Sequence, residues 1–543
     1  PPRSTLFPYT TLFRSTYEQF KRFHEVFYHP SNSRIYFYGD DDPETRLQLV
    51  NEYLKDFDHL RVNTLPALQS KFTQPLRKEI PYDSGDDLEN AKAYLTVNWL
   101  LPEGDQPELV LALGILEHIL LGTPAAPLRK ILTESGFGED VVGRGLTAEM
   151  RQMAFSTGMR GVNKNNVDEV EMLILSALED IAKQGIDPKT IEASINTIEF
   201  GLRENNTGSF PRGLLVMLRT LSAWLYDRDP IPPLVFQKPL DEIKSKLAAG
   251  SFRFENLIIE HLLSNQHRVT VILTPDSKIG AERIEKENDR LKRKQANLSV
   301  DQKQKIFDDT LALKIQQETP DSPAALATIP MLGKNDLDPK IKTLPITILQ
   351  KNPATILYHD LFTSDILYLD LGFDLQPLDP EYFPYMRLFM RALLEMGTLN
   401  LSFVELIQTI GRETGGIRHS TFTSERAHRN GSCAYLMLRS KVMVQKTTAL
   451  LSILEDILLA PNFGDKERFK QILLEEKSGM EAGLIPSSHR AVRNRIHAQY
   501  SSSAWLTEQM SGIDYLFFIR DLIDNFDQKW DQIRFALENI KSI

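Results

Sequence analysis

The stretch Gly114-Ile115-Leu116-Glu117-His118-Ile119-Leu120-Leu121-Gly122-Thr123 decides the architecture, because its end returns as Met396-Gly397-Thr398, 275 residues further on. Internal copies fix a fold before any single element does. Around Gly122, the strand-like Ala93-Tyr94-Leu95-Thr96-Val97-Asn98-Trp99 precedes the apolar helix Glu108–Leu121. A second strand pattern, 153–162, follows, and then two long helices. Around Gly397 the same order recurs: strands at 356–358 and 366–373, a helix at 384–395, a strand at 434–438, and helices at 447–459 and 466–482. Ser209-Phe210-Pro211-Arg212 and Ser487-Ser488-His489-Arg490 follow equivalent helices at nearly the same offset. The reading is an α+β chain of tandem homologous domains, each a mainly antiparallel sheet packed with helices.

The 543 residues are 42% hydrophobic and 25% charged, ordinary for globular domains. No run of about 18 apolar residues occurs, so no membrane span is expected. The net charge of -10 speaks against nucleic acid, whose binding needs clustered Lys and Arg. Cys433 is the single cysteine, which excludes an intrachain disulfide and a Cys-based zinc site and suits a reducing compartment. Its setting alternates like a strand, so it reads as a small packed hydrophobe.

Residues 1–15 read as a non-native leader. Arg3-Ser4-Thr5-Leu6-Phe7 is mirrored by Leu12-Phe13-Arg14-Ser15-Thr16, as in translated adapter sequence. Residues 16–64 read as the end of a first domain: a helix to Phe27, a turn at His29-Pro30-Ser31-Asn32, a strand at Arg34–Tyr38, and a helix from 44 to 57. Residues 65–276 form a second domain, opening with a proline-bearing linker at 65–90 and closing on the strand Arg268–Leu273. In 187–188, Asp caps a helix and Pro starts it. Residues 277–345 form a charged helical hairpin, whose second helix opens with the capping pattern Ser299-Val300-Asp301-Gln302, followed by a proline-rich linker. Residues 346–543 form a third domain.

Three stretches invite chemical readings. His24 and His29 are five apart, which rotates them by about 140° on a helix, and Tyr28 fills the position a zinc-binding pair requires. The motif is rejected. Gly114, Glu117 and His118 match the H-x-x-E-H pattern, in which two histidines hold zinc and Glu activates its water, except that Gly114 stands where the first His belongs. One imidazole cannot make a catalytic zinc site. Taken alone, the pair is the polar end of an apolar helix. Asn205, Ser209, Phe210 and Arg212 lie in a polar, glycine-bearing break between helices. Such a break lines a substrate surface or is a plain interhelical turn with Arg212 paired to a local carboxylate. Gly411-Arg412-Glu413-Thr414-Gly415-Gly416 reads as a turn.

The segments Tyr28–Asn32 through Gly39–Pro43, Val97–Leu101, Leu121–Leu132, Asn196–Phe200 through Arg212–Leu214, Leu394–Thr398 and Ile410–Ile417 resemble the presequence-protease group of the pitrilysin/insulinase-type inverzincin metallopeptidases. The resemblance runs from Tyr17 nearly to the end. It implies a zinc endopeptidase of four homologous domains, whose halves, joined by a helical hairpin, close around a chamber for unfolded peptides such as cleaved targeting presequences. It implies zinc in the complete enzyme, held upstream of Tyr17, with none expected on this piece and no catalytic or metal residue carried onto it. It also implies a monomer. Gly114, Glu117 and His118 then become a degenerate copy of the metal motif, and the third domain puts Phe389, Ala392 and Leu393 at the corresponding positions. The other reading is a noncatalytic peptide-binding or scaffold protein made from the same domains.

Overall fold

The computed structural model describes residues 16–85, 92–341, 343–427 and 431–542. The leader expected at 1–15 lies outside the described residues. The chain divides into two compact units, one of residues 1–80, 91–274 and 367–543, the other of 81–90 and 275–366.

The larger unit contains two α+β lobes. In the first, β1 (Leu76–Asp83), β2 (Ala93–Glu103), β3 (Asp140–Thr147), β4 (Gln152–Val162) and β5 (Arg268–Asp276) form a sheet in the order β1-β5-β2-β4-β3. β2 runs antiparallel to both β4 and β5, and β4 antiparallel to β3. Alternation places Ala93, Leu95, Val97, Trp99 and Leu101 inward, all at most 3% exposed. Against this face pack the helices Pro107–Leu121 and Val167–Gln184, which bury Ile115, Leu116, Ile119, Val170, Ile174 and Leu178. The Trp99 indole N–H donates to the Leu262 carbonyl at 2.8 Å, so the largest core side chain leaves no orphan donor. At Gly158 a Cβ would lie 1.9 Å from the Leu95 carbonyl, so only glycine lets β4 come this close to β2.

The smaller unit carries the charged hairpin, Ile279–Ala296 and Val300–Glu318, neither of which buries a residue. Ser299 and Gln302 form the expected capping box. Pairs such as Lys286–Glu282 and Lys305–Asp309 lace its faces at four-residue spacing. β6 (Thr347–Lys351) and β7 (Ala354–Tyr358) pair antiparallel as a hairpin.

In the second lobe, β8 (Ile366–Asp374), β9 (Ile417–Glu425) and β10 (Ser432–Met443) form a sheet in the order β8-β10-β9. This repeats β2-β4-β3, with the last strand of each trio in the middle. The helix Met386–Glu395 occupies the place of Pro107–Leu121 and buries Phe389, Ala392 and Leu393. Helices Thr447–Leu459 and Lys466–Leu484 fall where periodicity puts them, and Ile513–Asp524 adds a further helix to this lobe.

Several expectations are corrected. Residues 34–38 are extended but join no ladder among the described residues; Arg34 instead donates to the Trp224 carbonyl and pairs with Asp227. The stretch 65–90 contains β1, whose sequence, interrupted by Pro81, hid its strand character. Gly411–Glu413 is the last turn of the helix Phe403–Glu413, and only Thr414–Gly416 turns. That helix is capped by Ser402 and Glu405, a capping box the sequence displays.

Candidate functional site

Glu117 and His118 lie in the last turn of the helix Pro107–Leu121, on the side facing β3 and the helix Pro188–Glu204. His118 Nδ1 is 3.0 Å from Ser194 Oγ, a hydrogen bond between the two helices. The imidazole also lies over Gly122, where a Cβ would come 2.5 Å from His118 Cδ2. The Glu117 carboxylate fills the space over Gly145, where a Cβ would sit 2.5 Å from Oε1. Gly145 has φ +60°, and β3 shifts register against β4 between Val142 and Gly145. The bulge and the missing side chain together make room for the carboxylate. Burial raises the Glu117 carboxyl above its ordinary value and lowers the His118 imidazole. At Gly114 an added Cβ would meet nothing within 4 Å.

The zinc that the sequence pattern brings to mind does not fit these residues. Gly114 offers no ligand, one nitrogen of His118 is engaged by Ser194, and no group of three His, Cys, Asp or Glu side chains suited to a metal occurs among the described residues. In the second lobe the corresponding Phe389, Ala392 and Leu393 are buried apolar core. His24 stacks on Tyr28 at 4.7 Å, while His29 caps the turn at 30–32, so these two side chains serve different local contacts.

The second candidate group is only partly brought together. Asn205 ends the helix Pro188–Glu204 in a left-handed conformation, φ 45°, and its side-chain oxygen accepts from Arg219 at 3.4 Å. Ser209, Phe210 and Arg212 are exposed on the adjoining loop and the first turn of the helix Arg212–Trp224. Arg212 makes no ion pair among the described residues, so the local carboxylate pairing is not formed. Gly213, next to it, is packed under Tyr38, where a Cβ would lie 2.5 Å from Cδ1. The loop therefore presents a cation and an aromatic ring outward from a fixed base.

Sequence reading includes Glu204 in the polar break before Gly208, with Glu199, Arg203 and Asn206, but misses its partners. Glu204 pairs with Lys441 of β10 and accepts from the Tyr368 hydroxyl at 2.8 Å. Burial and this hydrogen bond push the Tyr368 phenol up to about 12. Burial alone would raise the Glu204 carboxyl, but the hydrogen bonds from Lys441 and Tyr368 outweigh it and hold it low. Inside the second lobe, Arg391 makes a two-pronged pair with Glu395, at 2.9 and 2.8 Å, and reaches Glu475 at 2.6 Å. Arg391–Glu395 at four-residue spacing was the one available signal; Glu475, 80 residues away from Glu395 in the chain, gave none.

The geometry defines a pair of homologous α+β domains: duplicated sheets with helices, and a metal-motif position at which Gly114 stands in place of the first histidine. Comparison with known proteins agrees. The family profile "Peptidase M16 inactive domain" matches residues 14–198, and the profile of the associated domain from subgroup C of the same peptidase family matches 273–522. The chain is 41% identical over 532 residues to presequence protease 1, chloroplastic/mitochondrial, of Arabidopsis thaliana, covering 97% of this chain and 49% of that protein. It is 32% identical to protein HypA of Clostridium perfringens, covering 95% and 53%. It is 25% identical to the mitochondrial presequence protease of Xenopus laevis, covering 94% and 50%. The chain belongs to the M16 peptidase family and is a homologue of the presequence proteases within it. It spans about half the length of these curated relatives. No helix among the described residues is long and apolar enough to cross a membrane.

Proposed function

We propose that this chain forms the noncatalytic wall and hinge of a zinc metalloendopeptidase that degrades unfolded peptides, cleaved targeting presequences among them. The observation that carries this reading is the similarity of 97% of this chain to about half of presequence protease 1, combined with a metal-motif position occupied by Gly114. In this reading zinc and the catalytic groups belong to other parts of the enzyme. The residues described here supply shape, exclusion and peptide contacts, and enclosure limits substrates to chains that can be threaded or folded small. The domain limits 16–64, 65–276, 277–345 and 346–543 are part of the proposal, as are a monomeric complete enzyme, no nucleic-acid partner, and a reducing compartment, which is a bacterial cytoplasm or an organelle interior.

Asn205, Ser209, Phe210 and Arg212 are the peptide-contact candidates. The outward-facing Phe210 and Arg212 support this role, since a peptide carries both apolar and anionic groups. In the complete enzyme, Arg212→Ala should weaken peptide turnover several-fold while leaving the melting temperature unchanged; unaltered kinetics would remove Arg212 from the peptide surface. The reading frame upstream of Tyr17 in the gene tests the proposal as a whole. An in-frame H-x-x-E-H supports the enzyme, and a complete upstream frame without it supports a noncatalytic peptide-binding scaffold.

A further inference from the structure

We infer that the helix Ser488–His497 is a docking surface for acidic peptide segments that also carry apolar side chains. The helix reads SHRAVRNRIH: five of its ten residues are Arg or His and none is acidic. The gap extends beyond the helix, since no Asp or Glu stands between Glu481 and Glu508. In a chain with 73 acidic against 63 basic residues, this stretch is a local patch of the opposite sign. A carboxylate-bearing segment is repelled by the protein as a whole and drawn to such a patch.

The helix buries no residue, yet it is held in place. Arg495 Nη1 pairs with Asp514 at 2.7 Å and with the buried Glu508 at 3.2 Å, which ties it to the helices Ile513–Asp524 and Ser502–Ser511. Arg490 donates to Ser487 Oγ at 2.7 Å beside the first turn. His489, Arg493 and His497 make no ion pair among the described residues. Set four apart, these three share one face. Val492 and Ile496, also four apart, run beside them, 59% and 51% exposed. The row of cations meets carboxylates, and the apolar pair meets the side chains between them. A phosphate backbone would use the cations and leave Val492 and Ile496 uncovered, so a peptide is the better fit. The duplication supports the assignment. The helix Arg212–Trp224 follows Pro188–Glu204 as Ser488–His497 follows Lys466–Leu484, and it too turns outward a cation, Arg212, and two leucines, Leu214 and Leu218. The choice of a peptide as partner rests on the function proposed above, and the helix adds to it a second contact surface with its own substrate chemistry.

The experiment measures fluorescence polarisation of labelled peptides on the full 543-residue chain. One probe is a Glu-rich peptide with spaced Leu residues. The other is an Arg- and Ser-rich peptide with the same Leu spacing, which imitates a presequence. A single-stranded oligonucleotide serves as competitor. The Glu-rich peptide should bind, and Arg493→Glu should raise its Kd about tenfold while leaving the melting temperature unchanged. Ile496→Ser should raise it about threefold. Arg490→Glu, one turn away, supplies a second charge reversal in case Arg493→Glu disturbs the fold. The Arg-rich peptide should lose no affinity in either charge reversal. Glu-rich peptide held at the helix, with Arg-rich peptide bound nowhere, would support the docking surface and count against presequences as substrates. Absent binding of the Glu-rich peptide, or binding that both charge reversals leave unchanged, would overturn the inference. So would an oligonucleotide that displaces the peptide at equal affinity and ignores Ile496→Ser.

Discussion

At the residue scale, small side chains decide more than large ones. Gly145 makes room for Glu117, Gly122 for the His118 ring, and Gly158 for the backbone of β2. Gly158→Ala has no flexible neighbour to displace, because the obstruction is the Leu95 carbonyl. We expect it to cost about 3 kcal/mol, measured by urea denaturation, the upper end for an overpacked core position. The Glu117-His118 pair was legible in the sequence because a motif with one member missing is still a motif. Its partners were not, since Ser194 and Gly145 lie 76 and 28 residues from the residues they meet. Those contacts exist only once the helix and sheet have packed.

At the scale of elements, the buried Arg391–Glu395–Glu475 group ties the helix Met386–Glu395 to Lys466–Leu484. Arg468 joins Glu395 at 3.1 Å, and His419 lies near enough to feel its charge. Burial would raise the Glu395 carboxyl, but Arg391 and Arg468 overcome it and hold it below its ordinary value. A carboxyl depressed by folding contributes stability above its unfolded pKa and loses it as pH falls through the folded one. The second lobe should therefore weaken in acid below the ordinary glutamate range, and Glu395→Gln should flatten that dependence. The same substitution at neutral pH should cost about 3 kcal/mol, the low end for a broken buried pair, because Glu475 still faces Arg391. An unchanged acid transition in Glu395→Gln would assign it to other groups. Most strands and long helices were legible from period and caps. β1, β3, β6 and β9 were not: β3 is interrupted by Gly143 and Gly145, β6 is five residues long and exposed throughout, and β9, Ile417–Glu425, is rich in polar residues with one buried apolar position. Residues 34–38 show the opposite error, since alternation announces a strand that needs a neighbour to form.

At the scale of the whole molecule, duplication was the most legible feature and the polar contacts between the two lobes of the larger unit the least. Repeated order, Gly-Thr helix ends and similar offsets lie along the chain, whereas Asn196, which donates to the Gly411 carbonyl, Gln408, which donates to Asp187, and the Glu204–Lys441 pair are ordinary polar residues until the lobes meet. The central claim is that these M16 domains hold no catalytic metal of their own. Its most direct test is metal analysis and peptidase assay of the purified 543-residue chain, using an unfolded presequence-like peptide with and without a chelator. The account predicts no stoichiometric zinc after metal-free purification and no cleavage. Zinc at one equivalent, with peptide cleavage that the chelator abolishes, would contradict it.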